Sequence, residues 1–250
     1  MDNKDKLFNK EEIAEPLVSI IVITYNSSEF VLETLESAKA QTYQNIELII
    51  SDDCSKDNTV EICKKWLEIN KEQFVRTELI TVSENTGIPA NCNRGIKASK
   101  GEWVKFIAGD DVLLNNCIYD LIKFSQNNSG AKIIFGKMKI LKDKKLSEHT
   151  PSVFFSKDIT EQYKMVYTGS GIHAPANIMN RSFILQLGGF DEEYPFMEDI
   201  PLWIKIAEAK EKFYLLDEFI LLYRIHTNNI TAKSNKIINE KFYASTRLLH

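Results

Sequence analysis

No run of 18 apolar residues occurs in the sequence, so none of it is expected to cross a membrane as a helix. Its four cysteines, Cys54, Cys63, Cys92 and Cys117, form no CxxC pair and have no histidine-rich segment beside them. That spacing speaks against a zinc site, and four thiols in 250 residues are too few for a disulfide-built scaffold. Positive charge is not in excess either: 31 Lys and Arg stand against 35 Asp and Glu, a net charge of −4 with both signs interspersed. A nucleic-acid-binding face is therefore not expected, although the balance leaves room for a small basic pocket for a diphosphate. The opening MDNKDKLFNKEEIAEP lacks the apolar stretch of a secretory signal. The expectation is a cytoplasmic protein with reduced thiols, with peripheral attachment at the inner face of a membrane left open. Two phosphate-binding fingerprints are missing as well. No GxGxxG follows the first apolar segment, which removes a dinucleotide-binding reading, and no GxxxxGK[ST] occurs, which removes a P-loop NTPase.

What is present is a regular alternation of short apolar runs and amphipathic segments. Residues 18–24 are nearly continuous in apolar and β-branched side chains, the pattern of a strand buried on both faces. A helix follows over 28–40, with Val31, Leu32, Leu35 and Ala38 on one stripe. Further strands are expected at 46–51, 78–82 and 103–108, separated by helices at 57–69 and 89–99. Four strand–helix alternations within about 95 residues point to βαβ units and a mostly parallel, Rossmann-like sheet with helices on both faces. The second half is less regular: a helix at 113–127, a strand at 131–136, loops over 137–160, a helix at 198–209, and strands at 213–216 and 219–225.

Open α/β sheets bind ligands beyond the carboxyl ends of their strands. Two acidic pairs stand there, Asp52-Asp53 after the second strand and Asp110-Asp111 after the fourth. Crowded carboxylates repel one another unless a cation or hydrogen-bond donors offset them. Hard oxygen ligands of this kind suit Mg²⁺ or Mn²⁺ shared with substrate phosphates. After the first strand stands Thr24-Tyr25-Asn26-Ser27, where the aromatic ring can stack on a base and Asn26 can fix the turn.

At this point VSIIVITYN (18–26), IELIISDDCSKDNT (46–59), ENTGIPANCNRGIKASKGEW (84–103), FIAGDD (106–111), GGFDE (188–192) and MEDIPLWIKIA (197–207) stand in one order and spacing. Together they resemble the family 2 glycosyltransferases of GT-A fold, from Pro16 to about His226. The resemblance implies a flexible lead-in at 1–15, a GT-A domain at 16–231 with a nucleotide-binding half (16–112) and a smaller acceptor-binding half (113–231), and a C-terminal helix at 232–250. It implies an inverting transfer of a sugar from a nucleotide diphosphate, a UDP-sugar, to a hydroxyl of a glycan or lipid-linked glycan, with Mn²⁺ or Mg²⁺ as cofactor.

Residue by residue, the resemblance gives Tyr25 the uracil stack, Asp53 the base N3–H, and Asp52 a loop-stabilising role. Asp111 is expected to bind the metal, and Asp110 the ribose or a metal-bound water. The first acidic position of the family's metal motif is Ala108, and the usual arginine of the Ala-Arg-Asn segment is Cys92. Arg94 is a candidate replacement, and Asn93 a candidate substrate contact or packing residue. Asp199 is the expected catalytic base, with Glu198 beside it and Trp203 a turn further on in the acceptor site or the core. Arg224 is a candidate for the diphosphate, and His226 for the metal. Two rivals stay open: a degenerate protein that binds without turnover, for which Ala108 and Cys92 speak, and a sugar-nucleotide pyrophosphorylase.

Overall fold

The computed structural model describes residues 15–149, 152–167, 172, 174–227 and 229. Residues 1–14 of the expected lead-in and the whole of the expected C-terminal helix lie outside them. Four parallel strands form the first half: β1 (Val18–Thr24), β2 (Ile46–Asp52), β3 (Arg76–Thr81) and β4 (Trp103–Ala108), in spatial order β3-β2-β1-β4. Central β1 aligns Val18 with both Ile46 and Trp103. Because side chains alternate along a strand, Ile20 and Val22 enter one core and Ile21 the other. The first core is closed by α1 (Val31–Lys39), α2 (Thr59–Asn70) and α4 (Cys117–Asn127), and the second by α3 (Ile88–Ala98), α6 (Arg181–Gln186) and α7 (Asp199–Glu208). Gly95 lets α3 lie directly on β1, where a Cβ would come within 2.4 Å of Ile21 Cγ2.

Beyond β4 the sheet continues through antiparallel β8 (Asn177–Asn180), then β6 (Ile133–Lys142), β9 (Phe213–Ile225) and the two-residue β5 (Val112–Leu113). In this second half the pairing is mixed, with β6 and β9 parallel and the other pairs antiparallel. The strand expected at 131–136 runs on to Lys142 and turns back as β7 (Lys145–Glu148), and α5 covers Ile159–Tyr167, so most of the expected 137–160 loop is ordered structure. The strands expected at 213–216 and 219–225 are one long strand, irregular where Phe135 and Lys137 of β6 change register against it. Leu32 is half exposed, and the buried stripe of α1 is Val31, Thr34, Leu35 and Ala38. The four cysteines are free and buried.

Candidate active site

The loops after β1 and β2 are stapled to each other. Asn26 adopts a left-handed conformation (φ 53°), which its short polar side chain tolerates better than most. Its N–H donates to Ser55 Oγ (2.8 Å), and its Oδ1 accepts from the Lys56 N–H (2.7 Å). The next two N–H groups, of Ser27 and Ser28, donate to Thr59 Oγ1 and Asp57 Oδ2. Asp52 closes the inner side by accepting from the Thr24 and Ser55 hydroxyls and the Ser55 N–H. This leaves the Tyr25 ring, 50% exposed, on the outer lip. Gly109 is pressed against the end of β1 and the loop after it, since a Cβ there would meet Ser27 Oγ and Thr24 Cγ2 at 2.9 Å.

Asp53 is buried, and both of its oxygens are engaged. They accept from the N–H groups of Thr86 and Gly87, from the Thr86 hydroxyl and from Arg94 Nη2 at 2.6 Å. Arg94, the candidate replacement for a missing arginine, therefore faces Asp53, Thr86 and Asn91. Gly87 (φ 93°) packs against Pro195, whose carbonyl accepts from the Ile88 N–H. That contact draws the segment before α7 to the rim of the Asp53 loop. A second tie is Asn93, whose side chain pairs with both backbone groups of Phe190 (2.9 Å each) and donates to Glu192. Asn93 is thus placed as a clamp between α3 and the turn leading to Glu198, and it is 6% exposed.

The Asp110-Asp111 turn is held by the end of β9. Asp111 is 1% exposed; its Oδ1 accepts from the Arg224 N–H, its carbonyl from Thr34 Oγ1, and its Oδ2 has no partner among the described residues. Burial, with Asp110 adding repulsion, pushes the Asp111 carboxyl well above the usual carboxylate range. Asp110 is the carboxylate that meets His226, Oδ2 to Nε2 at 2.9 Å, with Asn229 also donating to it. Expectation gave the metal to Asp111 and the ribose or a water to Asp110; the geometry pairs His226 with Asp110 and turns Asp111 inward. Arg224, the diphosphate candidate, spends its guanidinium on Glu33 and the Asp110 carbonyl. Phe30 lies beneath both side chains, with the Arg224 guanidinium 4.6 Å and the His226 ring 4.8 Å from its centroid.

One carboxylate oxygen and one imidazole nitrogen fit a divalent cation that takes the rest of its shell from phosphates and water. Among the described residues no set of three or more His, Cys, Asp or Glu side chains forms a self-sufficient metal site.

Glu198 and Asp199 begin α7, where the helix dipole favours negative charge. Burial, and then Asp199, push Glu198 up to about 8; burial also raises Asp199. Asp199 Oδ1 accepts from the Ile200 N–H at 2.7 Å. The buried Cys92 thiol is raised by burial first, and also by the charges of Glu198 and Asp53. Trp203 is on the core side of α7. It is 4% exposed and packs edge-on against Phe135 and Phe213, so of its two expected places the structure gives the core.

Sequence reading missed Phe30, Glu33, Thr86, Gly87 and Asn229. Phe30 carried a signal, as an aromatic residue off the apolar stripe at the head of α1. Thr86 and Gly87 lie in a quoted motif without an assigned task, and Asn229 gave none.

A family model for glycosyl transferase family 2 matches residues 19–188. Over 222 residues the chain is 28% identical to WfaP of Escherichia coli, a UDP-Glc:alpha-D-GlcNAc-diphosphoundecaprenol beta-1,3-glucosyltransferase, covering 88% of this chain and 82% of that one. Among solved structures, residues 1–349 of S. aureus TarS with UDP-GlcNAc give a TM-score of 0.73 at 22% identity, over 93% of this chain and 65% of that one. The mannosyltransferase PcManGT of Pyrobaculum calidifontis, with GDP-Man and Mn²⁺, gives 0.66 at 17%, over 93% and 65%. The chain spans 38% of the longer TarS structure. These likenesses share the GT-A fold, a mixed α/β architecture around a curled central sheet, and with the family match they fix the class: the chain belongs to glycosyl transferase family 2.

Proposed function

We propose that this glycosyltransferase moves a sugar from a UDP-sugar to a hydroxyl of a glycan or lipid-linked glycan in one inverting displacement. The observation that carries the reading is convergence: Gly87–Pro195 and Asn93–Phe190 tie the Asp53 loop and α3 to the segment leading to Glu198-Asp199, and Gly109 presses the Asp110 turn, which meets His226, against the loop after β1 that is stapled to the loop after β2. Tyr25 stacks on the uracil. Asp53 accepts the N3–H, exchanging one of its present hydrogen bonds for it. Asp110 and His226 would hold a divalent cation, which would offset the charge of a departing diphosphate. Asp111 and Arg224 keep that pair in place from behind. Asp199 takes the acceptor proton as the hydroxyl oxygen bonds to the anomeric carbon and the bond to the diphosphate breaks, a contribution of roughly 10²–10⁴ in rate. Glu198 holds its own proton and lowers the charge beside the base. The uridine nucleotides named for WfaP and TarS support UDP, and the diphosphoundecaprenol in WfaP's name supports a lipid-linked acceptor in surface-glycan assembly.

The test is incubation with UDP-, dTDP- and GDP-sugars in Mn²⁺, Mg²⁺ or chelator, following nucleotide release and glycoside formation. Metal-dependent release of UDP with an inverted glycoside is the expected result. Pyrophosphate-dependent formation of UTP would instead make it a pyrophosphorylase. UDP binding indifferent to metal, without turnover, would make it a degenerate binder.

A further inference from the structure

The hairpin of β6 and β7 ends in a basic tip that the transfer chemistry does not use. Its turn is Asp143-Lys144, both in left-handed conformations (φ 49° and 63°), and it sets Lys142 directly opposite Lys145. Like charges facing each other across strands destabilise a hairpin, and Lys144 adds a third charge in a conformation that glycine or asparagine takes more readily. None of these three lysines is in an ion pair among the described residues, whereas Lys137, nearer the base, pairs with Asp217 at 2.9 Å. Beside them Leu146 is 56% exposed. The acidic groups nearby along the hairpin are Asp143 in the turn and Glu148, which stands opposite Lys139 further down. Lysines that merely guard a sheet edge need neither the facing pair nor an exposed leucine next to it.

The tip lies at the carboxyl end of the sheet. Leu141 aligns with Arg224 and Lys142 with Ile225, which is 38% exposed and next to His226. Lysines and exposed aliphatic side chains thus share the end of the sheet that carries the candidate site. A convex two-residue turn cannot enclose a small anion, but it can rest on a charged plane with its leucine dipping into the boundary below.

We propose that the Lys142–Leu146 tip is a docking surface for an anionic lipid bilayer, which orients the candidate site toward the membrane. The inference does not depend on which sugar is transferred. It is tested by flotation of the protein with vesicles of phosphatidylcholine alone or with 30% phosphatidylglycerol, a vesicle composition about typical of anionic membranes. The protein is expected to float with the anionic vesicles, and to be released as salt shortens the reach of the charges. K142Q/K144Q/K145Q is expected to weaken that binding on the order of a hundredfold, roughly fivefold per lysine, with a melting temperature that stays the same or rises as the facing charges are removed. L146N is expected to weaken it severalfold at any salt concentration. Equal binding to neutral vesicles, binding retained by the triple variant, or equally effective competition by soluble polyphosphate at matched charge would each overturn the inference, the last by making the partner a soluble polyanion.

Discussion

The two ends of the central sheet each bury carboxylates, but among the described residues only the carboxyl end leaves one of them short of partners. At the amino end, Glu47 is fully buried and accepts from the Ser19 hydroxyl, the N–H groups of Lys100 and Gly101, and Arg76. Burial alone would raise its carboxyl, but those donors outweigh it and hold the group below the usual range. At the carboxyl end, Asp111 keeps an unpartnered oxygen, and Asp111, Glu198 and Asp199 are all raised. At the amino end the group only holds the chain together; at the carboxyl end Asp52 and Asp53 do so too, while Asp111 is kept under-satisfied. Incomplete satisfaction of buried polar groups costs stability, and it marks where a ligand is expected to supply what the protein withholds.

Substitutions can break this contrast. The largest effect is expected at the carboxyl end: Asp199→Asn should lower turnover by roughly 10²–10⁴ while UDP binding, measured by calorimetry, stays within about twofold. At the amino end, Glu47→Gln should cost about 2–3 kcal/mol in a denaturant titration, because it takes the charge from a buried group that accepts from Ser19, Lys100, Gly101 and the partly exposed Arg76. Gly189→Ala should cost about 1–3 kcal/mol and reduce activity as well. Gly189 has φ 74°, and a Cβ there would press within 2.6 Å of Asn93 Oδ1, the clamp that positions the turn before α7.

The pH dependence should carry the opposite sign at the two ends. Glu198 is held at about 8 against an ordinary 4.5, so between those values the folded protein retains a proton that the unfolded chain has released. Stability should therefore fall as pH rises through that window, and Glu198→Gln should flatten the fall. The depressed Glu47 acts the other way, contributing stability above its ordinary range that is lost as pH falls through its lowered value. The smallest effect is expected for Asp111→Asn: an amide can keep the Arg224 contact and removes a buried charge, so stability should stay the same or rise by about 1 kcal/mol.

The same contrast explains what could be read from the sequence. Of the first four strands, β1, β2 and β4 are short, apolar and buried on both faces, so their runs, and the acidic pairs that follow two of them, stand out without a structure. The second half hid its architecture because β8 is four residues long, β5 is two, and β6 continues into a lysine-rich hairpin that reads as loop. In the site, the residue types were legible but not their division of labour. Adjacent carboxylates such as Asp110 and Asp111 point in different directions from a tight turn, and only the returning β9 decides which one meets His226. Asn93 resembles a substrate contact until Phe190, 97 residues away, is found to occupy both ends of its amide.

The proposed mechanism requires that the base-binding loop, the Asp110–His226 pair and the head of α7 serve one pocket. It is tested most directly by a crystal structure of the Asp199→Asn protein with an intact UDP-sugar and Mn²⁺. Uracil should lie between Tyr25 and Asp53, the cation on Asp110 and His226, and the anomeric carbon should face residue 199. A nucleotide seated elsewhere, or a sugar whose anomeric face points away from residue 199, would contradict it.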